Sequence, residues 1–406
     1  METNITEIKA EEIKDSRGNL TLKVTVWAGK NFGVFSVPSG ASTGIHEAHE
    51  LRDEDGKGVN RVINKINNVI AKALIGQDIL NQQEIDRIMI ELDGTPNKDN
   101  LGGNGMIGVS IACAKAAASL SGIEVYDHLR KLSEMKPSRR VPHLYMNLIN
   151  GGLHAKNGLA FQEYHIVSNT DDAEEAVQIG IKIQNSLKQI ITRELGEDSL
   201  ILGDEGGYAP NITNIKKPLE YLSEAIKENY LEGKVRLALD VASSSFYDDG
   251  FYKVDDESIS KEKLLEMYGN LINEFNFISI EDPFDEEDFE SFRKLKESHP
   301  GLIVMGDDLT VTNKKILQKA IDEKSINAMI IKPNQIGTLS ETLETMRLAR
   351  ENDIELIVSH RSGETDDDFI ADLCYAFSCF GLKAGSPIKS ERMIKYKRLI
   401  EISKII

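Results

Sequence analysis

Three short apolar runs each close on one or two acidic residues. "VRLALD" ends on Asp240, "FISIED" on Glu281 and Asp282, and "LIVMGDD" on Asp307 and Asp308. A fourth run, "AMIIK", ends on Lys332; "ELIVSHR" ends on His360 and Arg361, and "FGLKAGS" carries Lys383. Asp240, Glu281 and Asp307 come from consecutive runs and can meet around one point, where bare carboxylates repel and need protons or a cation. An all-oxygen set with room for water and substrate suits Mg²⁺ better than zinc. Lys332 then sits beside that cation. A lysine with its ordinary pKa of ~10.4 is a poor base at neutral pH. The metal, Lys383, Arg361 and partial burial are expected to lower it toward the range of a general base.

Further groups suit the same chemistry. "LGDEGGYAP" puts Glu205 on a turn ahead of a Gly pair, and "FQEYH" offers Gln162 and Glu163 at another apolar run. Facing a lysine base across a mouth, these suit an acid on the opposite side of a substrate. "VPSGASTGIHEAHE" is a small-residue loop that, as a mobile flap, would bring Ser42 to a second metal. "HRSGET" supplies Arg361 and Ser362, a reasonable but unspecific grip for phosphate. "NGGLHAKNG" holds His154 in a Gly-rich loop. Taken singly, each is an ordinary strand end, turn or surface group.

Six successive strands that deliver ionisable groups at their C-terminal ends are a different matter. Short apolar runs alternate with amphipathic helices, such as 172–195 with Ala176, Ile179, Ile183, Leu187, Ile190 and Ile191 on one face. This alternation continues over some 270 residues, as expected of a β/α barrel, whose strand ends converge on one mouth. Another helix is expected to open with "FDEEDFESF", its acidic first turn complementing the helix dipole. Ahead of the barrel, "TLKVTVWAG" alternates Leu22, Val24 and Val26 against polar neighbours, "GVFSVPSG" continues as a second strand, and helical periodicity runs from about Lys57 to Lys131. The expected organisation is therefore α/β: an N-terminal α+β unit over 1–130, a polar linker over 131–140, and a barrel over 141–406.

Composition narrows the function. The chain has 406 residues, 40% of them hydrophobic, and a formal net charge of −18. That acidity disfavours nucleic acid and anionic membranes, although a bound cation still permits an anionic substrate. Cys113, Cys374 and Cys379 are too few and scattered for a disulfide framework, which fits a reduced cytoplasmic setting. The polar N-terminus has no signal-peptide core, and no run of about 18 apolar residues suggests a membrane span.

In order along the chain, "DSRGN", "VPSGASTG", "IELDGT", "GDEGG", "LALD", "SIEDPF", "GDDLTVTN", "NQIGTL", "VSHRSGETDD" and "SER" closely resemble the enolase family. A Lys base with one or two Mg²⁺ ions on an ene-diolate is the general pattern of that superfamily. The resemblance implies reversible dehydration of 2-phosphoglycerate to phosphoenolpyruvate in glycolysis and gluconeogenesis, with two Mg²⁺ ions per site. It implies that Lys332 takes the C2 proton and that Glu205, supported by Glu163, protonates the leaving hydroxyl. Asp240, Glu281 and Asp307 would hold the first Mg²⁺, and Ser42 would join the second. Arg361 and Ser362 would hold phosphate, Lys383 would neutralise the substrate carboxylate, and His154, Gln162 and His360 would close the site. A barrel with an antiparallel second strand and a homodimer or ring of dimers are also implied. The sequence departs from the family pattern in the short "RDEDGKG" and at Leu20, Ser245, Pro333 and Lys389. Another lyase or racemase of the superfamily, and a scaffold kept only for binding, stand as alternatives; the phosphate grip and the flap argue against the first, and the full set of site residues against the second.

Overall fold

The computed structural model describes residues 3–40, 44–135, 141–155 and 157–404. Ser42 and positions 136–140 of the expected linker lie outside the described residues. The chain opens with strands β1 (Glu7–Lys14), β2 (Leu20–Ala28) and β3 (Asn31–Ser36), an antiparallel sheet in that order. On β2, Leu22, Val24, Val26 and Ala28 are buried, so the period-two pattern places one face on the core. The helical stretch after it divides into Asn60–Leu74 with an internal π turn, then Gln82–Asp93, Gly103–Ser121 and Val125–Leu132. The expected linker thus begins inside the last turn of a helix.

The small residues of the Gly103–Ser121 helix allow it to lie flush on the sheet. A Cβ at Gly33 would stand 2.2 Å from the Ala112 carbonyl oxygen and 2.3 Å from the Ala116 nitrogen. Both are backbone atoms of a buried helix and cannot swing aside. Gly33→Ala is therefore expected to lower stability by about 1–3 kcal/mol, seen as an earlier thermal melt; an unchanged melt would show that the helix is free to retreat.

The barrel strands are β4 (His143–Asn150), β5 (Glu163–Ser168) and β6 (Val235–Asp240). A small antiparallel sheet follows: β7 (Tyr247–Asp248), β8 (Phe251–Val254) and β9 (Glu257–Ile259). The barrel resumes with β10 (Phe277–Glu281), β11 (Ile303–Gly306), β12 (Ala328–Ile331), β13 (Glu355–Ser359) and β14 (Gly381–Lys383). It closes in the order β10-β11-β12-β13-β14-β4-β5-β6. All neighbours are parallel except β5, which runs antiparallel to β4 and β6. The "FDEEDFESF" helix starts later than the sequence suggests, at Phe289, where the Asp288 carboxylate accepts from Ser291 N–H as an N-cap.

Strand alternation explains why the charges point inward. Tyr145, Val167, Ala238, Met305, Ala328, Ile330 and Ile357 form a cluster inside the barrel, separate from the main core. Counting two residues onward toward the mouth gives Asp240 from Ala238, Asp307 from Met305 and Lys332 from Ile330. A side-chain period of two keeps such pairs on one face. On β10 a register irregularity between Phe277 and Ser279 sets Glu281 directly opposite Asp240. Lys332 thus follows the strand of a fully apolar run because its inward position is the first one above the plug.

Candidate active site

The reversed strand β5 brings its beginning, rather than its end, to the mouth. Glu163 pairs in register with Asn150 on one side and Asp240 on the other. In the barrel order β5 stands four strands from β12, so Glu163 and Lys332 occupy diametrically opposite staves. One narrow cleft is lined by Glu163, Glu205, Asp240, Lys332, Lys383, His154, Gln162, His360, Arg361 and Ser362.

Lys383 holds the middle of the carboxylates. Its ammonium donates to Asp240 Oδ2 at 2.8 Å and to both Glu281 oxygens at 3.0 Å, and lies 3.2 Å from Glu163 Oε2. Burial opposes its charge, but Asp240, Glu163 and Glu281 outweigh that and raise its pKa well above the usual range. Glu281 is pushed well up by burial and by Asp240. Asp307 bonds instead to the Lys332 ammonium and, through Oδ1, to Gln335 Nε2 at 2.9 Å. The three expected metal carboxylates are therefore neighbours that do not close on one point. Among the described residues, the ligand atoms that do approach within 4.8 Å of one another belong to Asp282, Asp307 and Asp308, and to Glu163 and Glu205 with His154.

The expected lowering of the Lys332 pKa rests on a cation beside it; from this chain's own groups the direction is upward. Burial does press it down, but the Asp307 carboxylate prevails and the pKa is raised. Asp307 in turn is held low by Lys332 and Lys383 against the effect of burial.

Across the mouth, Asn147 Nδ2 donates to Glu205 Oε2 at 3.1 Å. His154 Nδ1 lies 3.0 Å from Glu163 and 3.7 Å from Glu205. Burial disfavours its charge, yet Glu205 and Glu163 raise its pKa. His360 is set differently. Arg392, which can only donate, bonds to His360 Nδ1, leaving Nε2 to face Glu205 at 3.3 Å. Burial, helped by Arg392 against the pull of Glu205, lowers His360 to about 4. Glu205 itself falls to about 2: burial and Glu163 push it up, and the two imidazoles more than offset them.

Several working contacts were not foreseen from sequence. Arg361 meets Glu47 with both guanidinium nitrogens, at 2.9 and 3.3 Å, and also bonds Asn334. Glu47 and Asp307 share Gln335 as a donor, and Thr312 anchors Gln335 at 2.8 Å while accepting from Lys332 N–H at 2.9 Å. Arg392 binds the Arg361 and Ser362 carbonyls at 2.7 Å each, and Lys395 pairs with Glu364 at 2.7 Å, fixing the segment after β13. The motif "SER" contained Arg392, but nothing in its spacing showed that it reaches 30 residues back. Of the departures from pattern, Pro333 is the first residue of the short helix Pro333–Ile336, where its missing N–H costs no hydrogen bond.

The residues present fit a divalent cation. Asp240, Glu281 and Asp307 are buried carboxylates on adjacent strand ends, each facing a lysine ammonium, and Gln162 Oε1 is a buried acceptor without a partner among the described residues. This is hard-cation chemistry.

Fold and site together define a class: a β/α-barrel enzyme, capped by an α+β domain, that opposes lysine to carboxylates across its mouth. Residues 5–129 match the family model "Enolase, N-terminal domain", and 138–406 match "Enolase, C-terminal TIM barrel domain". A curated relative named Enolase from Methanocaldococcus jannaschii is 45% identical over 404 residues, covering 98% of this chain and 94% of the relative. Another, from Methanothrix thermoacetophila, is 43% identical over 411 residues, covering 100% and 97%. The chain belongs to the enolase family, and it is a lyase of the phosphopyruvate hydratase type.

Proposed function

We propose that the protein interconverts 2-phosphoglycerate with phosphoenolpyruvate and water, with Lys332 as general base and Glu205 as general acid. The placement of Lys332 and Glu163 on opposed strands, with Glu205 on the Glu163 side of the cleft, is the observation that carries this reading. Neutral Lys332 removes the C2 proton, the freed electron pair becomes the C2–C3 double bond, and the C3–O bond breaks. Glu205 gives its proton to the departing hydroxide, making water. To do so Glu205 must first be protonated, and an anionic substrate between it and Lys332 raises its pKa by like-charge repulsion. Arg361 and Ser362 hold the phosphate, so Glu47 must give up its grip on Arg361 when substrate arrives. His154 and Gln162 border the same cleft, and His360 orients Glu205.

Asp240, Glu281 and Asp307 would hold one Mg²⁺, with Ser42 proposed at a second. When bound, the ions supply electrostatic stabilisation for charge growing on the substrate carboxylate and relieve the attraction of Asp307 for Lys332. Lys383 then adds positive charge on the carboxylate side. We further propose a cytoplasmic homodimer or ring of dimers, each chain comprising an N-terminal α+β domain over 1–130, a linker over 131–140 and a catalytic barrel over 141–406. Among the described residues no single helix is long and apolar enough to cross a membrane.

The direct test mixes purified protein with 2-phosphoglycerate and Mg²⁺ and follows ultraviolet absorbance of the enol product. Absorbance should climb and then stop when a chelator is added. A climb indifferent to the chelator would remove the metal from the scheme; no climb from folded protein with Mg²⁺ would remove the reaction.

A further inference from the structure

Arg361 borders two spaces. It lines the catalytic cleft, and it also lines a side cavity of about 300 Å³ with Glu47, His49, Glu50 and Asn334. Glu47 stands on the cavity side, on a segment of the N-terminal domain that reaches over the barrel mouth.

Glu47 meets Arg361 as a phosphoryl group would. Oε2 accepts from Nη1 at 2.9 Å and Oε1 from Nη2 at 3.3 Å, the forked contact by which arginine also takes two oxygens of a phosphate. The two side chains are 8% and 3% exposed, so the charges balance each other away from water. Burial opposes the charge on Arg361, and the Glu47 carboxylate does most to sustain it, so its pKa is raised. Glu47 also has donors of its own to fall back on. Its Oε1 accepts from Gly44 N–H and from Gln335 Nε2, each at 3.2 Å. These keep the carboxylate hydrogen-bonded when the guanidinium turns to another anion, and the cavity gives it room to withdraw.

We propose, building on the phosphate-holding role given above to Arg361, that Glu47 is an internal competitor for that grip: its carboxylate occupies Arg361 until a phosphoryl group displaces it, and its return helps to expel phosphorylated product. A carboxylate carries one negative charge and a phosphate monoester nearly two at neutral pH, so the exchange runs toward the phosphoryl group. Every phosphorylated ligand is nevertheless held less tightly, by the work of breaking the Glu47 contact. Substrate and product bear the same group, so both are affected.

Calorimetric titration of the full chain with 2-phospholactate and Mg²⁺ tests this, alongside turnover of 2-phosphoglycerate. The ligand keeps the carboxylate and the phosphoryl group but has no hydroxyl to lose. Glu47→Gln should bind it about tenfold or more tighter than wild type, with product inhibition by phosphoenolpyruvate strengthened by a similar factor. Glu47→Asp, which keeps the charge on a shorter arm, should fall between, and it carries the test if Glu47→Gln does not fold. Glu50→Gln controls for charge alone. Glu50 lines the same cavity but bonds Ser39 and Arg52, and its loss should tighten binding by about threefold or less. Binding that is unchanged or weaker in both Glu47 variants overturns the proposal, as does tightening in Glu50→Gln equal to that in Glu47→Gln. Wild type without turnover would remove the reaction; wild type with normal turnover, and no tightening in the variants, removes the competitor alone.

Discussion

Lys332→Ala is expected to lower kcat by about 10³-fold or more, the upper part of the range for a positioned proton-transfer group. More telling is what else disappears. If Lys332 alone handles the C2 proton, the variant also loses exchange of that proton with solvent deuterium. Glu205→Gln should behave otherwise: turnover falls by a similar factor, yet exchange at C2 persists, because removal of that proton precedes departure of the hydroxyl. Folding should survive in the first variant, since Asp307 retains the Gln335 amide at 2.9 Å. Exchange that continues undiminished in Lys332→Ala would transfer the base role elsewhere. The test is worthwhile because the resting structure keeps Lys332 charged beside Asp307.

Lys383→Met is expected to cause the largest loss of stability. The ammonium neutralises Asp240, Glu281 and Glu163 at 2.8–3.2 Å, and Lys383 itself is 2% exposed. Removing one partner from a buried charged cluster costs about 3–5 kcal/mol. In the variant, Mg²⁺ should recover part of that loss and raise the melting temperature more than it does in wild type, because the lysine no longer competes for the same oxygens. Equal shifts with Mg²⁺ in both proteins would mean that Lys383 and the metal do not share these carboxylates.

Much of this architecture is legible in the sequence. Asp240, Glu281, Asp307, Lys332, His360, Arg361 and Lys383 each sit at or just after the end of an apolar run, and the structure places all of them at one mouth. The barrel was expected from the alternation of strands and helices, its reversed second strand from the family resemblance, and both are present. The small sheet β7–β9 was passed over, although "YDDGFYKVDDESI" carried a hairpin signal: Asp249 and Gly250 both turn with positive φ. Contacts across long sequence separations could not be read. Glu47 lies 314 residues from Arg361, and no periodicity links them. The pairing that holds the Lys332 pKa up was hidden for a related reason. Its cationic neighbours were countable from sequence, but which carboxylate would lie closest depended on side-chain geometry.

The reversal of β5 separates two jobs that a parallel strand would combine. Had β5 run with its neighbours, Glu163 would stand at a strand exit and move with whatever loop followed it. Instead the residues over the mouth, including His154, belong to the connection between β4 and β5, while Glu163 is already locked between Asn150 and Asp240 by backbone pairing on both sides. The covering segment is free to lengthen, shorten or change composition over evolutionary time without displacing this carboxylate. Variation in how the site opens is thereby uncoupled from the geometry of one of its fixed charges.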